Sequence, residues 1–305
     1  MIPSFWRPNW WWLLAVLPLA LVLYYGIGMG MAHIIDDDPD FGAGPVSALQ
    51  SRSVAIASRL ILREVDEHKW VANDPFFTPG WALDDMPSYQ TGIVGAIGRF
   101  ATAAGQLAMI DGQPDPELDR AAGLLKYPGT VWKFDPSASW MPTASSEKQY
   151  RSAARNMQAF NDRLAAGKAR LADDDQALAQ MLGHLGADMD ATAGQLAAHM
   201  EAGRWTLFDT RADNLFYEAK GRIYAQSLLL GELRWDFPRS LASHHLDEQW
   251  QAMVAALRRA ATMRPAFVLA GGPESWLMPN HLAFQGFYLL EARTRLDAIL
   301  VALRG

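Results

Sequence analysis

From Trp10 to Ala32 the chain carries no charged side chain, and the apolar run continues through Ile34 and Ile35. At about 1.5 Å per residue such a helix covers the roughly 30 Å of a hydrocarbon core, so the stretch is expected to cross a bilayer. A cleaved secretory signal would have an apolar region of only about 7–15 residues, and Gly28 and Gly30 make a poor cleavage site. Trp10, Trp11 and Trp12 read as an aromatic belt on the entry side, with Tyr24 and Tyr25 toward the exit. Gly26 and Gly30 form a small-xxx-small pair through which two such helices approach closely, although glycine is also simply common in membrane helices. Arg7 and the N-terminal amine precede the helix, whereas the next basic side chain after it, His33 apart, is Arg52. That asymmetry predicts a cytoplasmic N-terminus and an outer, in a bacterium periplasmic, domain on the inner membrane, reached by a single pass.

All the acidic residues lie beyond Ile35, and the formal net charge is −6. No block of lysines or arginines appears, so nucleic acid is excluded as a partner and the domain has little attraction for anionic lipid. The lipid bilayer is a partner through the N-terminal helix alone. Without cysteines there are no disulfides, thiolate nucleophiles or cysteine-ligated metals.

The spacing of apolar residues divides the chain into a stub and anchor over 1–35, an acidic Gly/Pro-containing linker over 36–45 and a helical domain over 46–305. Helices are predicted at about Val46–Lys69, Ser88–Ile110, Pro116–Lys126, Ser146 onward through Met200, Arg211–Arg234, Leu241–Met263 and Pro279–Arg304. A heptad series of Met157, Leu164, Leu171, Leu178 and Leu185 would suit one long helix after Ser146. An internal echo breaks it instead: Ala166-Gly167-Lys168 and Ala202-Gly203-Arg204 both read as turns between helices, with Asp173 and Asp209 as N-caps. β-branched residues are few and alternation never persists, so no strands are expected. The predicted class is all-α, a membrane helix followed by an antiparallel helical bundle with long loops rich in aromatics and proline.

The motifs that carry chemistry are mostly missing: no Walker loop, no zincin helix, no nucleophile elbow, no calcium loop. Asp84 and Asp85, set among aromatic residues, are the first positive candidates, because adjacent carboxylates beside apolar rings suit general-acid work or cation binding. Helix capping is the plainer reading and is favoured. His244 and Glu248 share a helix face, and His281 would have to join them to make a metal site, so His244, His245, His184 and His199 are read as surface or capping residues. No metal and no cofactor is expected. The strongest compositional signal is the pairing of aromatics with proline in connections, above all Trp70–Tyr89 and Tyr127–Met141. Such loops suit an aromatic cleft, with Trp81, Asp84, Asp85, Tyr89, Trp132, Trp140 and His281 as its binding residues, or else lids packed over helix ends. Lids are favoured.

Asn73-Asp74-Pro75-Phe76, Leu83-Asp84-Asp85-Met86-Pro87-Ser88-Tyr89-Gln90, Arg211-Ala212-Asp213-Asn214-Leu215 and the run from Asn280 to Leu290 together resemble a family of proteobacterial proteins grouped under a domain of unknown function, the 2333 group. The resemblance runs over nearly the whole domain after the anchor and implies a Gram-negative inner-membrane protein. It brings no activity, ligand or catalytic residue with it. The expected function is therefore a non-enzymatic interaction or scaffold component of an envelope assembly, with a protein partner and a homo-oligomer as further expectations. The alternatives are a periplasmic enzyme or binding protein for envelope polymer, using Asp84, Asp85 and the loop tryptophans, and a ligand sensor that reports through a partner.

Overall fold

A helix begins where a short polar side chain accepts backbone N–H groups that the first turn leaves unpaired. The computed structural model, which describes residues 13–134, 141–202, 210–265, 268–269 and 280–304, with side chains from Val16 on, shows this at several starts. Ser51 caps α2 (Arg52–Leu62) through Val54 N at 3.1 Å. Asp84 caps α3 (Asp85–Leu107), and Asp115 caps α4 (Pro116–Leu125) through Glu117 N and Leu118 N. α5 runs from Ser146 to Ala165. α6 (Asp175–Glu201) is capped by Asp174, not by Asp173, which instead pairs with Arg239. Asp209 lies outside the described residues. The turn at Ala166-Gly167-Lys168 does separate α5 from α6, with Gly167 at φ 67°.

The chain is mostly helical, which bears out the all-α expectation. A π-helical turn, Arg63–Glu67, follows α2, and a 3₁₀ turn, Pro79–Ala82, precedes α3. α7 (Thr210–Leu233), α8 (Pro238–Ser243), α9 (Asp247–Ala261) and α10 (His281–Arg304) complete the series. The helix predicted over 241–263 is thus two, because His245 adopts φ 53° between α8 and α9.

One correction concerns strands. β1 (Ala108–Ile110), β2 (Gln113–Pro114) and β3 (Arg170–Leu171) form a small antiparallel sheet in the order β2-β1-β3. Asp111 and Gly112, both at positive φ, supply the two-residue turn of the β1–β2 hairpin, so α3 stops short of Ile110.

α1 (Leu13–Ala32) is an uncharged helix with Pro18 in its interior. Among the described residues no helix is long and apolar enough to cross a membrane, so the membrane-spanning expectation gains no support from the fold. The part of α1 with described side chains, Val16–Ala32, falls short of the roughly 20 residues that a span takes. Trp10, Trp11 and Trp12 lie outside the described residues.

The core is laid down by α2, α3, α4, α5, α6, α7, α9 and α10, with α7 packed against both α3 and α9. α3 with α4, and α6 with α10, are antiparallel: Gly98 faces Leu125 while Gly105 faces Asp119, and Gly186 meets Leu296 while Gly286 meets Leu196. α3 and α7 are an exception. Both begin at the same end, where Asp85 of α3 meets Asp213 of α7, and they run in the same general direction. They cross with backbone against backbone: a Cβ on Gly92 would lie 2.1 Å from Glu218 O, and one on Gly221 2.0 Å from Tyr89 O.

The acidic segment after α1 is drawn into this core. Asp37 is buried and paired with buried Lys220 at 2.6 Å and with Arg264. The Asp36 carbonyl accepts from Tyr89 Oη at 2.6 Å and Arg63 Nη2 at 3.0 Å, and the Asp38 carbonyl from Tyr224 Oη at 2.8 Å. Ala43 lies in the core.

Candidate functional site

The N-termini of α3 and α7 converge, and each brings acid into its first turn. Asp84, Asp85 and Asp213 hold carboxylate oxygens that all lie within 4.8 Å of one another. The positive ends of two helix dipoles favour anions here, and Asp84 accepts Asp85 N at 3.1 Å, as the capping reading expects. Two helix ends do not neutralise three carboxylates. Burial, and then the charge of Asp85, push the Asp213 carboxyl up to about 7, with Asp84 adding to the effect and His33 opposing it. Burial also raises Asp85, although its hydrogen bond with Asp213 pulls the other way. The arrangement is that of a shared proton: Asp213 holds it near neutral pH and offers it to Asp85. Tyr217, one turn further along α7, is pushed up to about 12 by burial and by the same carboxylates.

Chemically this cluster holds a proton that leaves near pH 7, or presents three oxygens once the proton is gone. A calcium ion takes about six to eight oxygen ligands, so the three carboxylates alone are half a coordination shell. Among the described residues no histidine joins the group.

Behind the cluster lies a buried polar network. Arg63, in the π turn, is 2% exposed and donates to Glu64, Tyr224 and the Asp36 carbonyl. Its guanidinium stands 4.6 Å from the Phe41 ring centroid. Gln90 accepts from Val71 N and donates to Lys69 O and Glu64 O. The hydrogen bonds from Arg264 and Lys220 outweigh burial and hold Asp37 below the usual carboxylate range. Burial lowers Lys220 despite its pairing. Every charge in this network has a partner, which suits a structural clamp on the segment after α1.

The other sequence candidates scatter. Tyr89 is a core residue whose hydroxyl donates to the Asp36 carbonyl. Trp81 is 60% exposed in the turn beside α1. Trp132 packs edge-on against Phe77 and Phe134, and Trp140 lies outside the described residues. His281 begins α10, where its Nδ1 accepts from Leu269 N at 3.0 Å, and burial lowers its pKa. His244 pairs with Asp175 and His184 with Gln106. Tyr24 and Tyr25 donate to the carbonyls of Phe77 and Phe76 at 3.1 and 2.7 Å, while a Cβ on Gly26 or Gly30 would meet only open space. Phe76 and Phe77 therefore gather beside α1, whereas the carboxylates gather at the N-termini of α3 and α7, next to Tyr217. An open cavity of about 460 Å³ lies elsewhere, between Met109, Gly112, Lys168 and Arg170, with Asp111 as its acid. Asp213 was missing from the candidates because 128 positions separate it from Asp85; its place in the first turn of a helix was the available signal. Compared with family models, curated proteins and solved structures, the chain gives no match.

Proposed function

We propose that this is a single-pass, membrane-anchored interaction protein, with its N-terminus in the cytoplasm and its helical domain on the outer, periplasmic side of a bacterial inner membrane, where it docks another envelope protein. The observation that carries the reading is α1: uncharged from end to end, with Val16, Leu17, Leu19, Leu21, Val22 and Leu23 all about half exposed or more. A helix apolar on every side needs an apolar medium, and the uncharged run continues upstream to Trp10. Large apolar side chains are also exposed at Phe284, Phe287 and Leu290 on α10, and clustered exposure of this kind marks surfaces that meet a partner. Gly26 and Gly30 face open space, which leaves room for a second copy of the anchor. The likeness to the proteobacterial family agrees with this reading and adds no activity to it.

An enzyme acting on envelope polymer is less well supported, since that chemistry asks for carboxylates in a cleft, and the open cavity of about 460 Å³ lies away from Asp84, Asp85 and Asp213. The anchor is tested by alkaline extraction of membranes, from which the protein should not be released, and by protease added to spheroplasts, which should reach the domain. Release by alkali would overturn the anchor. A photo-cross-linker at Phe287 should give one discrete adduct with another envelope protein in intact cells; recovery of the uncross-linked chain alone would overturn the interaction reading.

A further inference from the structure

We propose that the loop Phe76–Trp81, with Trp132 and Phe134 beside it, is a second membrane contact: its rings enter the outer leaflet next to the anchor and fix the domain's orientation on the lipid surface. The inference rests on the anchor reading above and adds the bilayer itself as the occupant of an exposed aromatic patch.

The helix and the loop are joined at a defined height. Tyr24 and Tyr25 donate to Phe77 O and Phe76 O, and Gly28 lies so close to Pro79 that a Cβ would come 2.3 Å from Pro79 Cγ. At about 1.5 Å per residue, Tyr24 lies roughly 12 Å below Ala32. A helix that crosses a bilayer and ends near Ala32 therefore carries this loop down to the level of the headgroups and upper acyl chains.

The loop is built for that level. No charged residue occurs between Asp74 and Asp84, and Pro75 and Pro79 have no N–H to satisfy. Thr78 N bonds to Pro75 O, Trp81 N to Thr78 O and Leu83 N to Gly80 O, while the tyrosine hydroxyls take up two of the carbonyls. Backbone at membrane depth must be satisfied in this internal way. Its side chains point outward: Phe76 is 69% exposed, Phe77 51% and Trp81 60%, in a domain that buries Trp250, Phe100 and Phe160 completely. Phe77 continues into Trp132 and Phe134 through edge-on contacts at 5.8 and 5.5 Å. Lys133 stands 5.8 Å from both of the latter rings, where an ammonium meets lipid phosphate. The chain's net charge of −6 gives no electrostatic pull toward an anionic surface, so ring insertion supplies the contact.

The absence of cysteine allows single labels without background. Full-length protein carrying an environment-sensitive fluorophore at Val22→Cys, Phe77→Cys, Trp81→Cys or Phe287→Cys is reconstituted into phosphatidylcholine vesicles containing lipids brominated near the headgroup end of the acyl chains. Labels at 22, 77 and 81 should be quenched at least about twofold and the label at 287 left bright, as expected for interfacial against aqueous positions. Gly28→Leu, which separates loop from helix, should abolish quenching at 77 and leave it at 22. Quenching at 22 with none at 77 or 81 overturns the membrane contact and leaves the anchor standing. No quenching at any position overturns the anchor and this inference with it. Labels at 77 and 81 that stay bright on vesicles and become shielded when envelope protein is added would assign the patch to a protein partner instead, and would also overturn it.

Discussion

Asp213 must ionise within a few ångströms of two other carboxylates, and the folded protein bears the cost. Its carboxyl sits at about 7 when folded against 3.8 when unfolded, so between those values the folded state holds a proton that the unfolded state has released. Stability therefore falls as pH rises from about 4 to above 7, opposite to the usual effect of a paired aspartate, and Asp85 adds to the same slope. Asp213→Asn mimics the protonated form and keeps a donor toward Asp85. Its melting temperature should exceed the parent's at pH 8 by about 2–4 °C, the response of a domain of this size to about 1 kcal/mol, and should match it near pH 4. Thermal melts across pH 4–8 check this, and parallel curves for the two proteins would refute it. The Asp37–Lys220 pair behaves in the ordinary way. Lys220→Met strands a buried carboxylate whose remaining partner, Arg264, is mostly exposed, and should cost about 3–5 kcal/mol. Adding Asp37→Leu removes the stranded charge and should recover part of that loss; a double variant no more stable than the single one, by denaturant titration, counts against the pairing. Half of this site was legible in the sequence. The Asp84-Asp85 doublet announced itself, and so did its capping role, but Asp213 and Lys220 acquire their partners only through the α3–α7 crossing, which no local pattern encodes.

That crossing is the element on which the site depends. Gly92 and Gly221 let the two backbones touch, and in neither place does a flexible side chain stand ready to move: the obstructing atoms are Glu218 O and Tyr89 O. Gly221→Ala must push the helices apart, at a cost of about 1–3 kcal/mol for overpacking and with only a few tenths returned from better helix propensity. Because α3 and α7 also hold the carboxylates, the same change should separate Asp85 from Asp213 and flatten the pH dependence of stability. Gly26→Ala, which meets nothing within 4 Å, is the control and should be neutral in both measurements. A Gly221→Ala protein with parental stability in denaturant would show that the crossing is looser than drawn. The longer helices were readable, since period-3.6 stripes and caps such as Asp115 are local, whereas α8 was not. Their directions were not, and the expectation of antiparallel neighbours failed for α3 and α7, which are far apart in sequence. The hairpin was legible and overlooked: Asp111-Gly112 is a strong two-residue turn signal, masked by the apolar run of α3 that leads into it.

At the scale of the molecule, the segment from Asp36 to Pro45 determines how α1 and the helical domain are joined. Its acidic, Gly/Pro-containing composition reads as a flexible linker, because the residues that bind it lie on α2's end, α3, α7 and the stretch after α9. In the fold it is a strap. Asp36, Asp37 and Asp38 satisfy Arg63, Tyr89, Lys220 and Tyr224, all of them buried. With the strap fastened a few residues beyond Ala32, and with Tyr24 and Tyr25 bonded to the aromatic loop, the domain has little freedom to swing relative to α1. The buried polar clamp therefore begins at Asp36. A chain starting at Asp36 should keep the cooperative melt of the helical domain, whereas one starting at Val46 removes the acceptors of Tyr89 and Tyr224 and takes one partner each from Arg63 and Lys220, which keep Glu64 and Met263 O. At about 1–3 kcal/mol for each stranded hydroxyl, and with both cations each losing a partner, the loss is a large part of the roughly 5–15 kcal/mol that holds a typical domain together. The shorter chain should show helical circular dichroism without a sharp thermal transition. Equal, cooperative melts for the two chains would mean that the strap is ornamental, and that the domain pivots freely about the end of α1.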